Sequence, residues 1–572
     1  MCFKLLYLWY YYALFVKNQN SNGVKLRDLF IVTVALMCGG CTKDEPEESL
    51  PKTNKLHEEV EQYHYWAGDE KVFLEAQPEK SFILFRSSDR YSLVDSRKMD
   101  YSVFKTSRLS ENYMFRKGLT RAFEADNISW AIGTTRGFDI DNENILYSGQ
   151  AYKSSKGTDI FISHLFYVKL KNEKDYPVLE CMSEENGVEI LGKIEKMDLW
   201  YKLACTPLSD CDALSMAAKF YESGVVRYAE PDIMFEARSC GRQPNSYVEY
   251  QAPAYTETTS VPNDPLFPNQ WYLHNPGGLD INYLEAREIT RGDSCIKILL
   301  SDIYPVDRTH VDLPELYEAE DWYAPGVDDH GTCCAGIIGA KTDNGIGIAG
   351  IAPGCKLGFV TVPYTYNVGN AEAIASVFRM VQGRYDVMSC SWYIPYEIFS
   401  ESQCMLIEES IFMRFQDGRW HWTCDVDLGT VYVFASGNDN SNDICYPAIT
   451  FSETIAVGAM KKNGKRHPKS NYGMQLDLMA PGEQIFTTTV MQGNSGEEYQ
   501  YTQFFDRTSA ACPQVAAAAA LILSINPYLR YDEVEYYLTS TAQPLSENEY
   551  YVGAGLLDIG AALKAVLGDM GN

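Results

Sequence analysis

The sequence predicts an α/β domain with a largely parallel central sheet over residues 263–568, preceded by a smaller α+β domain over residues 158–238. Three observations carry this expectation. At 572 residues the chain is too long for one hydrophobic core, so more than one domain is required. From Pro262 onward, apolar strand-type runs alternate with helical patterns, the order a parallel sheet with crossover helices needs. Ahead of that stretch, His164–Leu170 reads as a strand, Tyr176–Glu185 as a helix, and Val188–Leu191 and Leu199–Leu203 as two strands. Asp210 is expected to cap an amphipathic helix through Phe220 that ends at Gly224, and Val225–Asp232 closes the unit as a strand. That order, βαββαβ, is ferredoxin-like.

The other segments follow from composition. Residues 1–41 hold an aromatic-rich apolar run (Met1–Val16), then Lys25 and Arg27, the apolar run Leu29–Met37, and Cys38-Gly39-Gly40-Cys41. A short basic region, a short apolar region and small residues describe a secretory signal peptide. The apolar run is shorter than the ~20 residues a membrane span needs. Gly39-Gly40 before Cys41 resembles a bacterial lipobox, which implies lipidation of Cys41 and a lipid anchor to the membrane. The acidic stretch Thr42–Glu48 is similar to the export tags of bacterial surface lipoproteins. The chain is thus expected to be exported, as an outer-membrane or cell-surface lipoprotein; secretion and an uncleaved membrane anchor are the alternatives. The second start-like pattern, at Val24, carries the expectation that residues 1–23 are not translated. Residues 42–54 read as a tether, and 55–157 as a β-rich region of no nameable fold. Residues 239–262, rich in Pro, Ser, Tyr and Thr, read as an exposed linker where a maturation cut would fall.

A formal charge of −28 and a pI near 4.7 exclude a phosphate-backbone partner, so no nucleic acid is expected. The 16 cysteines are compatible with export. Setting aside Cys2 and Cys38 with the signal, and Cys41 with lipid, leaves an odd number, so at least one thiol has no partner within the chain. No pair of C-x-x-C motifs stands at zinc spacing, and Cys333-Cys334 reads as two small buried residues.

Four segments carry chemistry. Ile296–Asp302 is a buried-type strand running into an acid, and strand carboxyl ends collect functional groups in open parallel sheets. His330 opens a helix of small and apolar residues, where an imidazole can act as general base. Ser509, in Arg507-Thr508-Ser509-Ala510, stands at a helix start, whose free N–H groups and dipole suit an oxyanion. Asn438 ends the strand-type run Val433–Gly437 and offers an amide to the same oxyanion. Taken singly, each has a structural alternative: a loop brace, a helix-start His, an N-cap Ser, a turn Asn.

Their joint order, Asp302, His330, Asn438, Ser509, resembles the subtilase family, whose triad runs Asp–His–Ser along the chain. The resemblance covers roughly Asn263–Ala565. Further segments match in order: Asn263–Phe267 with Gln270-Trp271, His310–Leu313, Gly345–Pro353, Tyr446–Ala448, Ile455–Ala459 and Leu478–Gly482. It implies a subtilisin-like serine endopeptidase with Asp302, His330 and Ser509 as triad and Asn438 in the oxyanion hole, acting on protein or peptide substrates. It implies substrate-binding positions at Ser389, Ser391, Trp392, Tyr393, Ala435, Ser436, Gly437 and Cys445. It implies that residues 158–238 are a prodomain, an intramolecular inhibitor that blocks the cleft with its last strand. No cofactor is required for the reaction. A structural Ca²⁺ is implied at Asp312, Thr342, Asn344, Ile346 and Ile348, with Gln270 near; a metal-free loop of the same shape is the alternative.

The chain departs from the family pattern at several points. Arg507 replaces a glycine, and a positive φ there would strain it. Ile303-Tyr304-Pro305 replaces Ser/Thr-Gly, with one extra residue before His310. Tyr393 replaces a glycine of the substrate-binding strand, and Cys445 falls at the base of the primary pocket, which together favour small side chains. These changes leave a pseudoprotease that binds without cutting as the rival reading, and a surface adhesin built on residues 55–157 as a third.

Overall fold

The computed structural model describes residues 63–86, 103–108, 128–134, 145–155, 157–236, 238–239, 261–320, 328–362, 368–380, 383–394, 404–417, 420–421, 426–450, 453–492 and 498–570. The signal and lipobox segment with Cys41, the tether 42–54 and residues 240–260 of the linker lie outside the described residues.

The N-terminal part forms strands β1 (Tyr63–Ala67), β2 (Glu70–Arg86), β3 (Val103–Arg108), β4 (Ile128–Thr134), β5 (Ile145–Lys153) and β6 (Asp159–Leu170). After them come α1 (Tyr176–Glu185), β7 (Val188–Lys193), β8 (Trp200–Cys205), α2 (Ala213–Glu222), β9 (Val226–Glu236) and β10 (Arg238–Ser239). Strands β9, β6, β8 and β7 lie side by side in that order, all antiparallel, with α1 and α2 as the two crossovers. The boundary read at 157/158 falls inside this sheet: β5 pairs with β6, with Ala151 opposite Phe161, and β2, β4 and β3 continue it. Strand β6 starts at Asp159 rather than His164 because Ile160, Phe161 and Ile162 are buried too. The cap of α2 is also corrected. Asp212, not Asp210, accepts the Ser215 N–H at 2.9 Å, since an N-cap must stand next to the first turn. Asp210 lies outside the helix, paired with Lys219.

The C-terminal part contains α3 (Tyr283–Ile289), β11 (Lys297–Asp302), β12 (Ala319–Glu320), α4 (His330–Gly339), β13 (Lys356–Thr361), β14 (Val368–Asn370), α5 (Ala371–Met380), β15 (Val387–Cys390) and β16 (Trp392–Tyr393). It continues with α6 (Met405–Asp417), the short pair β17 (Trp420–His421) and β18 (Val426–Asp427), then β19 (Val431–Ala435), β20 (Ile455–Met460) and β21 (Leu478–Pro481). The hairpin β22 (Ile485–Gln492) and β23 (Glu498–Phe505) leads into α7 (Thr508–Ile525). Seven strands form a sheet in the order β12-β13-β11-β15-β19-β20-β21, parallel at every pairing. Strands β11, β15, β19 and β20 are almost wholly buried, as apolar runs covered on both faces must be. Helix α7 is apolar and long enough to cross a membrane, yet 89% of it is enclosed in the protein. Its run Ala516–Ala520 is fully buried, and such small side chains let the helix lie close on the sheet.

The two parts share one apolar cluster, which joins Phe166, Trp200 and Ile233 to Ile374, Leu406, Ile407 and Tyr446. Strand β14 extends the N-terminal sheet by pairing with β9, Val368 opposite Glu236. The contact is polar as well. Glu230 on β9 accepts the Met405 and Leu406 N–H groups at 2.7 and 3.3 Å and so caps α6. Glu409 takes Lys169 at 2.6 Å and the Trp200 indole N–H at 2.8 Å. Asp232 accepts from Ser163, Tyr167 and Asn370.

Candidate active site

Asp302 is the last residue of β11 and is fully buried. His330 opens α4, its N–H held by the Asp328 carboxylate at 2.9 Å. The helix reaches that position because Gly331 has no side chain: a Cβ there would sit 2.3 Å from the Tyr304 carbonyl oxygen. Gly336 does the same against Thr488, while Thr487 and Thr488 donate to the Cys333 and Thr332 carbonyls at 2.7 and 2.6 Å. His330 Nδ1 meets Asp302 Oδ2 at 2.8 Å and Oδ1 at 3.0 Å. The Phe505 ring stands edge-on to the imidazole at 5.2 Å. Nδ1 is thereby fixed as donor, leaving Nε2 as acceptor, and Nε2 has no partner among the described residues. Burial works against the imidazolium, but the adjacent Asp302 carboxylate outweighs it and holds His330 well above its ordinary pKa.

Ser509 is the second residue of α7, where its N–H has no intrahelical acceptor. Its hydroxyl donates to the Ser391 carbonyl at 2.8 Å, and the Ser391 hydroxyl donates to the Ser509 carbonyl at 3.1 Å. That carbonyl is available because Pro513, four residues on, has no N–H to give it. Asn438 lies just after β19; its Oδ1 accepts the Thr508 N–H at 3.1 Å and the Thr508 hydroxyl at 3.0 Å. This leaves the amide nitrogen as the end of Asn438 able to donate to a substrate oxygen.

The eight positions expected to bind substrate separate in the structure. Ser391, Trp392 and Tyr393 lie along β16 and the residue before it, and Gly437 and Cys445 lie close together beside Asn471. A Cβ on Gly437 would come within 2.5 Å of the Cys445 sulfur, so this turn, at φ 107°, requires glycine. Tyr393 and Cys445 pack on each other, both buried. Ser389 and Trp392 instead turn into the core: Ser389 lies against Cys512 Sγ at 3.7 Å, and the Trp392 indole N–H donates to the Ser301 hydroxyl at 3.1 Å among Phe378 and Phe434. Ala435 and Ser436 are buried, and Ser436 N–H bonds the Val457 carbonyl. Two residues have contacts that the sequence reading did not give them. Ser391, expected at the substrate, holds the Ser509 hydroxyl, and Cys334, read as a small buried residue, lies one helical turn after His330 with its sulfur grouped with the Asp302–His330 pair. The i, i+4 spacing of His330 and Cys334 was the available signal.

At the calcium positions, Asp312 is fully buried and accepts from Asn344 Nδ2 at 2.8 Å, the Ile348 N–H at 2.9 Å and the Tyr501 hydroxyl at 3.3 Å. Burial raises its pKa. The Thr342, Ile346 and Ile348 carbonyls accept no hydrogen bond among the described residues, so a buried carboxylate faces a loop with uncommitted carbonyls. A hard, oxygen-seeking cation fits that donor set.

Comparison with known proteins bears on the whole constellation. The Subtilase family description, Peptidase_S8, matches residues 293–555. Subtilisin DY of Bacillus licheniformis is 34% identical over 247 residues, which are 42% of this chain and 80% of that protein. The chain belongs to the subtilase family. As a subtilase it is a serine endopeptidase, with peptides or proteins as its substrate class. A calcium-dependent protease of Trichormus variabilis is 30% identical over 304 residues, covering 47% of this chain and 45% of that protein. Among solved structures, fervidolysin of Fervidobacterium pennivorans, a keratinolytic enzyme related to subtilisin, matches with a TM-score of 0.54 at 19% identity. That match covers 70% of this chain and 61% of fervidolysin, and it speaks for the fold alone.

This subtilase carries its Arg507 at φ 68°, ψ −160°, a region that is almost exclusively glycine's. The side chain pairs with the neighbouring Asp506 carboxylate at 3.4 Å.

Proposed function

We propose that this subtilase hydrolyses peptide bonds through an acyl-enzyme on Ser509, with His330 as general base, Asp302 orienting it and Asn438 with the Ser509 N–H as oxyanion hole. The observation that carries the reading is the buried Asp302–His330 bond, whose outer nitrogen is left as an acceptor, with Cys334 beside the pair and its sulfur 3.7 Å from the Ser509 carbonyl. The Ser509 hydroxyl rotates from the Ser391 carbonyl to give its proton to His330 Nε2 as Oγ attacks the substrate carbonyl. The proton then passes to the leaving amine, and water repeats the sequence on the acyl-enzyme.

Residues 158–238 act in this reading as a ferredoxin-like prodomain. The strand order, the Glu230 cap on α6, the Glu409 contacts and the pairing of β10 with β16 support it. The protein is exported, with residues 1–41 as signal and Cys41 as lipid site; a relative in Dichelobacter nodosus is an extracellular basic protease, 27% identical. Calcium, held by Asp312, Asn344 and the Thr342, Ile346 and Ile348 carbonyls, would stiffen the loop after α4. Chelation is then expected to lower the Tm of the wild type by several degrees and to leave that of Asp312→Ala unchanged.

A fluorophosphonate probe tests the central assignment. Labelling of the wild type that is lost in Ser509→Ala is the expected result. A folded wild type that takes no label overturns it and favours the pseudoprotease, for which the hydrogen bond between Ser509 and Ser391 is the supporting observation.

A further inference from the structure

Residues 437–445, which follow β19, form an irregular loop with Asn438 near one end and Cys445 at the other. Such a loop lies outside the strand ladders, so its buried N–H and C=O groups must find partners elsewhere. Asn471, fully buried between β20 and β21, supplies five of them. Its Oδ1 accepts the Asp439 N–H at 2.9 Å and the Ser441 N–H at 3.1 Å. Its Nδ2 donates to the Asp443 carbonyl at 3.0 Å and to the Cys445 sulfur at 3.3 Å. Its backbone N–H donates to the Gly437 carbonyl at 2.9 Å. A side-chain amide carries an acceptor and two donors on one plane, which is what this set of partners uses. Asn471 is itself anchored to β20 through Ser470, whose hydroxyl accepts the Ala459 N–H and donates to the Asn471 carbonyl, both at 3.0 Å.

Two of these bonds bracket Asn438. The Gly437 carbonyl belongs to the peptide plane before it, and the Asp439 N–H to the peptide plane after it. Peptide planes are rigid, so holding both sets φ and ψ at Asn438 and with them the direction in which its side chain leaves the backbone. At the far end of that side chain, Oδ1 takes the Thr508 N–H and hydroxyl. A Cβ on Gly437 would run into Asn471 Nδ2, so the close approach of the two segments depends on that glycine. We propose that Asn471 is a positioning residue for the oxyanion hole, holding the backbone on both sides of Asn438 so that its amide nitrogen meets the developing oxyanion. The proposal rests on the reading of Asn438 as an oxyanion donor, through which Asn471 acts. Its effect therefore belongs in kcat, where displacing such a group by about 1 Å costs up to about 10²-fold.

The test is a double-mutant cycle in kcat on one peptide substrate: wild type, Asn438→Ala, Asn471→Ala and the two together, with circular dichroism to confirm the fold of each. Asn471→Ala is expected to lose at least about tenfold in kcat. In the Asn438→Ala background the same change is expected to cost less than about threefold, because the group it positions is already gone. A residue that only stabilised the fold would multiply its loss onto that of Asn438→Ala. Asn471→Ser, read by the same cycle, takes the place of Asn471→Ala if that variant does not fold. A folded Asn471 variant that loses less than about tenfold overturns the proposal, as does a loss above about threefold in the Asn438→Ala background. Either result, with Asn438→Ala itself costing about 10²-fold or more, leaves Asn438 standing as the oxyanion donor. An Asn438→Ala loss below about tenfold overturns both assignments.

Discussion

The candidate site at the parallel sheet and the contact of the N-terminal sheet with α5 and α6 hold their buried polar groups differently. Around the parallel sheet, the site is held by short, neutral or single-charge bonds: Asp302 to His330, Ser509 to Ser391, Asn438 to Thr508. Where the N-terminal sheet meets α5 and α6, several carboxylates are buried together. Burial pushes Glu230 up to about 7, Asp232 to about 6 and Glu408 to about 8, with Glu230 and Glu409 adding to the rise at Glu408. The contrast separates a part of the molecule built to stay fixed from a contact whose strength depends on solution conditions. Four experiments break or sharpen it.

The largest effects belong to the fixed part. Asp302→Asn keeps the geometry but removes the charge that sets the His330 tautomer, so kcat should fall on the order of 10⁴-fold. Asn438→Ala removes one oxyanion donor and should cost roughly 10²–10³-fold in kcat. Both are read from steady-state kinetics on a peptide substrate, with circular dichroism to confirm an unchanged fold. A loss below tenfold in either would separate the constellation from the chemistry.

Next comes the contact. Glu409→Ala leaves Lys169 and the Trp200 indole without their acceptor. Both charged side chains are about a fifth exposed, which places the cost at the low end for such pairs, about 2 kcal/mol or a thirtyfold weaker hold of an N-terminal domain supplied separately. The concentration of that domain needed to suppress activity measures it.

The pH dependence of the same hold follows from sign. Glu230, Asp232 and Glu408 have pKa values raised above the ordinary carboxylate range in the docked state, so docking takes up protons. These three carboxylates favour binding at low pH, and their contribution is lost as pH rises through about 6 to 8. Glu372 acts in the opposite sense, since Lys202 and Arg379 outweigh its burial and hold it below its ordinary value, and its contribution is lost only at the acid end. Lys169 faces Glu409, and Cys404 and Tyr446 are neutral neighbours. At least tenfold weaker inhibition at pH 8 than at pH 5 is expected. A flat profile would mean that these carboxylates stay buried after the domains part.

The smallest effect returns to the site. Arg507 holds a backbone conformation that costs a non-glycine residue about 1–3 kcal/mol. Comparing Asp506→Asn with the double variant Asp506→Asn/Arg507→Gly isolates the strain from the Asp506 pair. The double variant should be more stable by about 1 kcal/mol in chemical denaturation. Equal stability would show that the surroundings supply no strain at this position.

Legibility in the sequence follows the same division. Asp302, His330, Asn438 and Ser509 stood out by their joint order, since each sits in a short run that taken singly has a structural alternative. A strand ends at Asp302, a helix of small residues begins at His330, and another at Thr508. Arg507 stood out because only glycine tolerates the backbone the turn demands. The cap of α2 was misplaced by two residues because Asp210 and Asp212 differ only in which one reaches the Ser215 N–H. Ser389 and Ser391 looked alike as alternating strand residues. Only the packing of α7 decides that one meets Cys512 and the other Ser509.

By itself, then, the sequence determined the parallel domain, its family resemblance and the four residues of the candidate site, since local periodicity and contiguous motifs encode them. Tertiary structure alone decided that strands β1 to β9 form one sheet, that Glu230 and Asp232 of that sheet are buried against α5 and α6, and that β10 lies along β16. Those facts depend on pairings between residues far apart in the chain, such as Leu84 with Trp130, Phe161 with Met234 and Arg238 with Tyr393, and no local pattern of side chains specifies which distant edge a strand will join.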